Sequence, residues 1–203
     1  MTPERKTRRV PTKGKGTQSM QPSQNTDEPA SSGCADDDNA ALCLRGRFRS
    51  SMRLIASTVA VVTSADNSKR GGLTATAVCS LSVDPPLVIV CINRGSHTHA
   101  IIRRVGRFCL NYLARDQHDV ARMFAQHVAN PEDKFEVGRW TLSPRGNPVL
   151  LGSLATIECV IHRRVDEGTH SVFIGAVAAV EARQEQAPLV YAHSNYARVG
   201  GAA

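Results

Sequence analysis

Three short segments combine hydroxyl groups, histidines and glycines in patterns that packing alone does not require. The first, Gly72 to Ser80, alternates threonine with alanine, so one face of an extended strand would carry small side chains against which a flat ligand can lie. The second, Asn93 to His99, places hydroxyl groups at a predicted helix start, where backbone N–H groups bind phosphate. The third, Gly168-Thr169-His170, places a histidine at a predicted hairpin tip.

Each segment also has a simpler interpretation. Alternating Thr and Ala suits a tightly packed strand pair, Asn93 to His99 reads equally as an ordinary helix cap, and a hairpin histidine is often only solvated. The residues by themselves leave these alternatives open.

The elements that must position these segments are mainly strands. Helices are predicted over 46–56, over 96–105 with Ser96 as N-cap, and over 116–127, and residues 128–148 read as a long, mobile loop. Strands are predicted over 58–63, 73–83, 87–92, 108–113, 154–165 and 172–180, with a last apolar patch at 189–191 before a short tail. Because residues 87–92 are apolar on both faces, that strand is expected to be central. Six or seven strands with three short helices favour a β-barrel with peripheral helices.

Charge and composition divide the chain of 203 residues at about residue 44. Residues 1–20 hold six basic residues and one acidic one, and residues 21–44 hold five acidic residues and no basic one, so the formal net charge of +7 belongs to residues 45–203. The first 44 residues contain few apolar side chains, and such a segment cannot offset its ordering entropy by burial. We therefore predict a disordered charged tail over 1–44 and one domain over 45–203. The tail lacks the apolar stretch of a signal peptide.

Several protein classes are disfavoured. No apolar stretch is long enough for a membrane span. Six cysteines show no zinc-type spacing, and four lie within apolar runs, which predicts free buried thiols, no metal site and a cytoplasmic location. Aromatic residues are only 4%, which disfavours nucleic-acid binding despite the positive charge.

In this order and spacing, the segments resemble the flavin reductase family, whose members pair with two-component flavin-dependent monooxygenases. The matching pieces are Phe48 to Arg53, Val59 to Thr63, Leu73 to Ala77 with Ser80 and Asp84-Pro85-Pro86, Asn93-Arg94 with Ser96 and Thr98, Phe108 to Asn111, Lys134-Phe135, and Gly168-Thr169-His170 with Gly175. No single piece is specific, but the series covers the chain from Phe48 to Tyr196.

The resemblance implies a mainly β fold, an FMN-binding split β-barrel with a few short peripheral helices, assembled as a homodimer. It implies an NAD(P)H-dependent flavin reductase that passes a hydride from NADH or NADPH to FMN or FAD and supplies reduced flavin to a partner monooxygenase. The residues that the resemblance assigns to flavin binding are Thr74, Ala75, Thr76, Ala77 and Ser80 for the ring and ribityl chain, Asn93, Ser96 and Thr98 for the phosphate, and Tyr196 to close the pocket. His170 is assigned to the nicotinamide side as the catalytic residue, in an orienting or charge-stabilising role.

Two other functions compete with this interpretation. A split barrel that holds flavin without turnover would act as a sensor or carrier, and an oxidase of the pyridoxamine-phosphate type would share the fold. The stretch from Ser80 to Pro86 is typical of the reductases and argues against the oxidase. An assay of NADH oxidation with free FMN separates the reductase from the carrier.

Overall fold

The computed structural model describes residues 33–199, in which strands predominate over helices. The strands are β1 (Ser57–Thr58), β2 (Ala60–Ala65), β3 (Arg70–Ala75), β4 (Val78–Val83), β5 (Pro86–Asn93), β6 (Arg107–Tyr112), β7 (Trp140–Leu142), β8 (Pro148–Leu150), β9 (Ala155–Glu167), β10 (His170–Ala182), β11 (Leu189–Ala192) and β12 (Asn195–Arg198). The helices are α1 (Gly33–Met52), α2 (His97–Val105) and α3 (His118–Ala125), with a short 3₁₀ helix over Pro131–Glu136.

Seven antiparallel strands form the main sheet, in the order β3-β2-β6-β9-β10-β5-β4. The long hairpin β9–β10 lies inside this sheet, and two register shifts along it mark bulges that bend the strands. Although β3 and β4 follow each other in the chain, they lie at opposite ends of the strand order, and β3 also contacts β5. The sheet therefore curves back on itself, as a barrel does.

Two apolar clusters cover the two faces of β2, which is why every residue of that strand is buried. Val62 belongs to the cluster that also contains Phe108 and Phe173, and Val61 to the cluster that contains Phe124. Helices α2 and α3 are strongly amphipathic and pack with their apolar sides on β2 and β3.

Several expected elements are confirmed. Helix α2 begins after Ser96, whose side chain accepts a hydrogen bond from the His99 N–H, as an N-cap does. Strands β5, β6, β9 and β10 occur where the sequence predicts them, and β5 is an internal strand of the sheet.

Four expectations were wrong in their bounds. Residues 73–83 form two strands rather than one, because the ladder breaks at Thr76 and Ala77. The predicted loop over 128–148 contains the 3₁₀ helix and the first strand of the β7–β8 hairpin. Its proline and glycine residues had predicted no regular structure there. The chain after Leu189 forms the β11–β12 hairpin rather than a strand and a tail. Within the described residues, helix α1 runs over Gly33–Met52 and not over 46–56, so residues 33–44 are helical where disorder was expected. Residues 1–32 lie outside the described residues.

The cysteine prediction is confirmed for two thiols. Cys109 and Cys159 are buried, and burial raises the pKa of both, that of Cys159 to about 12, so neither is reactive at neutral pH. Cys91 is half-buried and Cys79 is exposed, contrary to expectation, because the side of β4 that carries Cys79 is not covered. All five cysteines within residues 33–199 for which a state is given are free.

None of the helices in the described part of the chain is long and apolar enough to cross a membrane. Among the same residues, no group of His, Cys, Asp and Glu side chains is placed to hold a metal ion.

Candidate functional site

A cavity of about 400 Å³ lies where β3, the start of α2, the end of α3 and the 3₁₀ helix meet. Its lining residues are Gly72, Leu73, Thr74, Asn93, Gly95, Ser96, His97, Thr98, Phe124, Ala125, Gln126, His127, Val128, Pro131 and Lys134. The structure thus brings together four residues that the sequence predicts as binding residues, namely Thr74, Asn93, Ser96 and Thr98.

The turn from β5 into α2 is held by its own side chains. Asn93 Oδ1 accepts the Gly95 N–H at 2.8 Å, and Ser96 Oγ donates to the Asn93 carbonyl at 2.9 Å while accepting the His99 N–H at 3.1 Å. The Ser96 hydroxyl therefore organises the start of the helix. Its first-turn N–H groups, those of His97 and Thr98, have no carbonyl within the helix to bond and lie at the cavity.

The electrostatic character of the cavity suits an anion. None of its lining residues is acidic, and the first turn of α2 carries no acidic residue, so the positive end of the helix dipole is uncompensated there. Lys134 contributes a cation from the 3₁₀ helix, and burial lowers its pKa. Because that shift reflects lost hydration of the ammonium group, a bound anion would stabilise its charge.

The 3₁₀ helix that carries Lys134 is fixed to β3 at two points. Glu132 accepts the Arg70 N–H at 2.6 Å and the Arg70 Nε–H at 2.8 Å, and the Arg70 guanidinium lies 4.3 Å from the centre of the Phe135 ring. Lys134 Nζ also donates to the Phe124 carbonyl at 3.3 Å. This wall of the cavity is therefore tied to both β3 and α3.

Two adjacent glycines on β3 allow the helices to approach closely. A Cβ atom at Gly71 would lie 3.0 Å from Thr98 Cα, and one at Gly72 would lie 2.3 Å from Phe124 Cε1. Phe124 cannot easily move, since its ring packs 5.1 Å from both Phe135 and Trp140. The glycines thus set how closely α2 and α3 pack on β3.

We expect Gly72→Ala to lower the free energy of unfolding by about 1–3 kcal/mol, because the new methyl group overpacks the ring of Phe124. Urea denaturation measures this change. Gly46→Ala is the comparison variant, since a Cβ atom at Gly46 meets nothing within 4 Å. Gly46 lies within α1, so alanine there should leave the free energy of unfolding equal or slightly higher. An unchanged urea midpoint for Gly72→Ala would show that α3 can move away from β3 without a loss of stability.

His170 lies beside the cavity but does not line it. It is the first residue of β10, is exposed, and is the register partner of Asn93 on β5. Its Nδ1 lies 2.8 Å from Thr169 Oγ1, and the Arg94 N–H donates to the Thr169 carbonyl at 3.0 Å. The hairpin tip is therefore attached to the same β5–α2 turn that forms the cavity.

The remaining predicted site residues lie away from this cavity. The side chain of Ala75 is buried in the core, Thr76 and Ala77 form the exposed link between β3 and β4, and Ser80 is exposed on β4. Even Thr74, which lines the cavity, donates its hydroxyl to the Ala121 carbonyl at 2.7 Å. Their contact with a flavin ring stays a prediction.

Tyr196 lies on β12 and not on a free tail. Its ring packs 5.5 Å from that of Tyr191, and the Arg122 guanidinium lies 5.9 Å from its centre. It contacts the cluster of Phe124 and Phe135 rather than the cavity. Its proposed closure of the pocket stays a prediction.

Sequence reasoning missed the residues contributed by the end of α3 and its following turn, including Gln126 and His127. These positions carry no local motif, so only the packing of α3 against β3 shows that they face the site. The sequence predicts Gly72 as the end of a turn, whereas it lies within β3, and its close contact with Phe124 has no signal in the sequence.

The fold and the cavity define a mainly β protein with a cavity free of acidic residues at a helix start. Comparisons with known proteins identify its family. Residues 52–200 match the model of the flavin reductase like domain. The chain belongs to this family, which confirms the resemblance and the split-barrel fold inferred from the sequence.

Two relatives and one solved structure show the range of the similarity. The chain is 34% identical over 157 residues to the FMN reductase (NADH) RutF of Stutzerimonas stutzeri (strain A1501), covering 77% of this chain and 90% of that protein. It is 39% identical over 148 residues to the 4-hydroxyphenylacetate 3-monooxygenase reductase component of Salmonella typhi, covering 72% and 87%. The NADH:FAD oxidoreductase SgcE6 of Streptomyces globisporus C-1027, solved with NAD and FAD fragments, superposes with a TM-score of 0.73 at 28% identity, covering 77% of this chain and 93% of that one.

Proposed function

We infer that the protein is an oxidoreductase that uses NADH to reduce a flavin and so supplies reduced flavin to a partner monooxygenase. The observation that carries this inference is the cavity at the start of α2, which is free of acidic residues and bordered by His170. Family membership and the reductase components among the relatives support it.

The residues of the cavity fit the phosphate that FMN and FAD both carry. The N–H groups at the α2 start, the Thr98 hydroxyl and the Lys134 ammonium would hold it, since each is a donor and the phosphate only accepts. Ser96 and Asn93 would act by shaping the turn, a role that their side-chain hydrogen bonds within it support. Gly72 lets the Phe124 ring pack directly on β3, which holds α3 at the wall of the cavity.

The exposed surface next to the cavity is the place for the nicotinamide. The flavin supplies an electrophilic ring nitrogen that accepts the hydride, so the protein contributes orientation and charge stabilisation. His170 is the residue that we propose for this role, because it projects from a hairpin tip attached to the Asn93–Gly95 turn. It would orient the nicotinamide and would not need to transfer a proton.

An anaerobic assay with purified protein tests the function. Without oxygen, we expect NADH to bleach the visible absorbance of added FMN or FAD. In air, the reduced flavin is reoxidised, and we expect continued oxidation of NADH over many turnovers. Parallel titrations with NADPH and with both flavins determine the preferred pair. Tight flavin binding without reduction by either nucleotide would contradict this function and favour the sensor or carrier.

Two further features belong to the proposal. A homodimer is supported by the large apolar side chains that the isolated chain exposes on β4 and β10, such as Val83 and Val180. A cytoplasmic location is supported by the free thiols within residues 33–199. Sedimentation analysis tests the homodimer, and a monomer at all concentrations would contradict it.

The domain boundary at residue 44 stays a prediction, supported by the compact unit that residues 44–203 form. We expect a chain lacking residues 1–44 to keep flavin reduction within a few-fold of the full chain, because no site residue precedes residue 72. Steady-state NADH oxidation by the two proteins makes the comparison. A large loss of activity or of assembly would show that the deleted segment is structural and that the boundary at residue 44 is wrong.

A further inference from the structure

A chain of three side chains joins α2 to the β9–β10 hairpin beneath the site. His99 Nε2 lies 2.8 Å from Ser171 Oγ, and Ser171 Oγ donates to Asp166 Oδ1 at 2.6 Å. His99 and Ser171 are buried, and the His99 ring packs 5.4 Å from that of Phe173. Buried polar groups in such a chain are held firmly, because breaking one bond leaves a donor or an acceptor unsatisfied.

The direction of each hydrogen bond follows from the carboxylate at the end. The hydrogen bond from Ser171 lowers the pKa of Asp166, so this group is ionised and only accepts. Ser171 has then used its proton, and it must accept the bond from His99 Nε2–H. The chain therefore requires the Nε2-protonated form of His99.

The surroundings keep His99 neutral. Burial lowers its pKa, and the charged groups that face it from α2, the β5–α2 turn and β9 are Arg103, Arg164, Asp166 and Arg94. The three arginines lower the pKa further and Asp166 opposes them. Neutral His99 has a single ring N–H. The row of hydrogen bonds places this N–H on Nε2, where it bonds to Ser171 Oγ.

These three hydrogen-bonded side chains connect the two halves of the proposed site. His99 belongs to the first turn of α2, where its backbone N–H is capped by Ser96 beside the cavity. Ser171 directly follows His170, and Asp166 lies on the strand that leads into the same hairpin tip. The start of α2 and the hairpin tip that carries His170 are thus joined through the buried side chains of His99 and Ser171, with the exposed Asp166 at the end.

We propose that His99, Ser171 and Asp166 are positioning residues that hold His170 at a fixed separation from the start of α2. Their effect is to align the nicotinamide with the flavin that is anchored at that helix. The catalytic consequence rests on the proposed reductase function, whereas the holding of the hairpin tip does not.

Two substitutions of His99 separate the loss of its hydrogen bond to Ser171 from the loss of the imidazole ring. Glutamine places an N–H donor near the position of Nε2, whereas asparagine is too short to reach Ser171. We expect His99→Asn to lower the rate of flavin reduction at saturating NADH by about tenfold or more, because misplacing the reacting groups by about 1 Å can cost about 10²-fold, while the Kd for FMN changes less than about threefold. His99→Gln should recover most of that rate. Ser171→Ala should resemble His99→Asn, and combining the two should add little, since both break the same bond.

Hydrogen–deuterium exchange provides a readout that needs no catalysis. The amides of residues 168–172 should exchange faster in His99→Asn and in Ser171→Ala than in the wild-type protein, and His99→Gln should stay close to wild type. Unchanged amide exchange at residues 168–172, or an equal loss of rate in the Gln and Asn variants, would overturn the proposal. If His99→Asn does not fold, the exchange and the rate of Ser171→Ala provide the test. Failure of the reductase function would show itself differently, as wild-type protein that reduces no flavin.

Discussion

Replacing His170 by alanine is expected to lower kcat/KM for NADH by about 10–100-fold, equivalent to roughly 1.4–3 kcal/mol of transition-state stabilisation. The expected loss is limited because hydride transfer needs no proton at the transferring carbon. His170 is exposed at the hairpin tip and pairs in register with Asn93, so its removal should leave the phosphate end of the cavity unchanged. Flavin affinity should therefore be close to that of the wild-type protein.

Stopped-flow reduction under anaerobic conditions isolates the hydride step from product release. His162→Ala is the matched control, because His162 is also an exposed histidine of this hairpin but lies on β9 away from the turn that carries His170. If His170→Ala reduced flavin at the wild-type rate at every NADH concentration, His170 would be only a solvated turn residue. The flavin site itself would be unaffected by that result.

Combining Ser96→Ala with Thr98→Ala is expected to weaken the binding of FMN far more than that of riboflavin. A hydrogen bond to a charged group contributes roughly 1.5–3 kcal/mol, so losing the Thr98 hydroxyl alone should lower FMN affinity at least about tenfold. Ser96→Ala removes the helix cap, which costs about 1 kcal/mol of stability and disturbs the turn at Asn93. Riboflavin lacks the phosphate and should report only this second, smaller effect.

Fluorescence titration of each flavin measures the two affinities. Thr98→Ser is the control variant, since it keeps the hydroxyl at the buried position next to Gly71. Equal weakening of FMN and riboflavin by the double substitution would place the phosphate elsewhere. Lys134→Met should add to the selective loss for FMN, because Lys134 lines the same cavity and carries its cation.

Much of the site could be inferred from the sequence because its central part is local. Ser96 caps α2 through a bond to a residue three positions later, and Asn93 and Gly95 form their turn within three residues. Such bonds depend on residue types at short spacing, which a sequence displays directly. The Gly168 turn likewise follows from local signals, since Gly168 adopts a φ of 53°.

Other features depended on contacts between distant segments. A break after Ala75 sends β3 and β4 to opposite ends of the strand order, although the sequence reads through it as one Thr- and Ala-rich strand. The cavity wall formed by Lys134 requires the pairing of Arg70 with Glu132, which lie 62 residues apart. Propensity and periodicity do not encode pairings of this kind.

The sequence by itself determined the strand-rich class, the capped start of α2, the hairpin that presents His170 and the resemblance to the flavin reductases. The tertiary structure alone decided which of the predicted residues share a cavity. It joined Thr74, Thr98 and Lys134 around one space and directed Ala75 into the core. It also linked His99 to Ser171 across 72 residues. The physical reason is that caps and turns arise from neighbouring residues, whereas a cavity arises only when separate strands and helices pack.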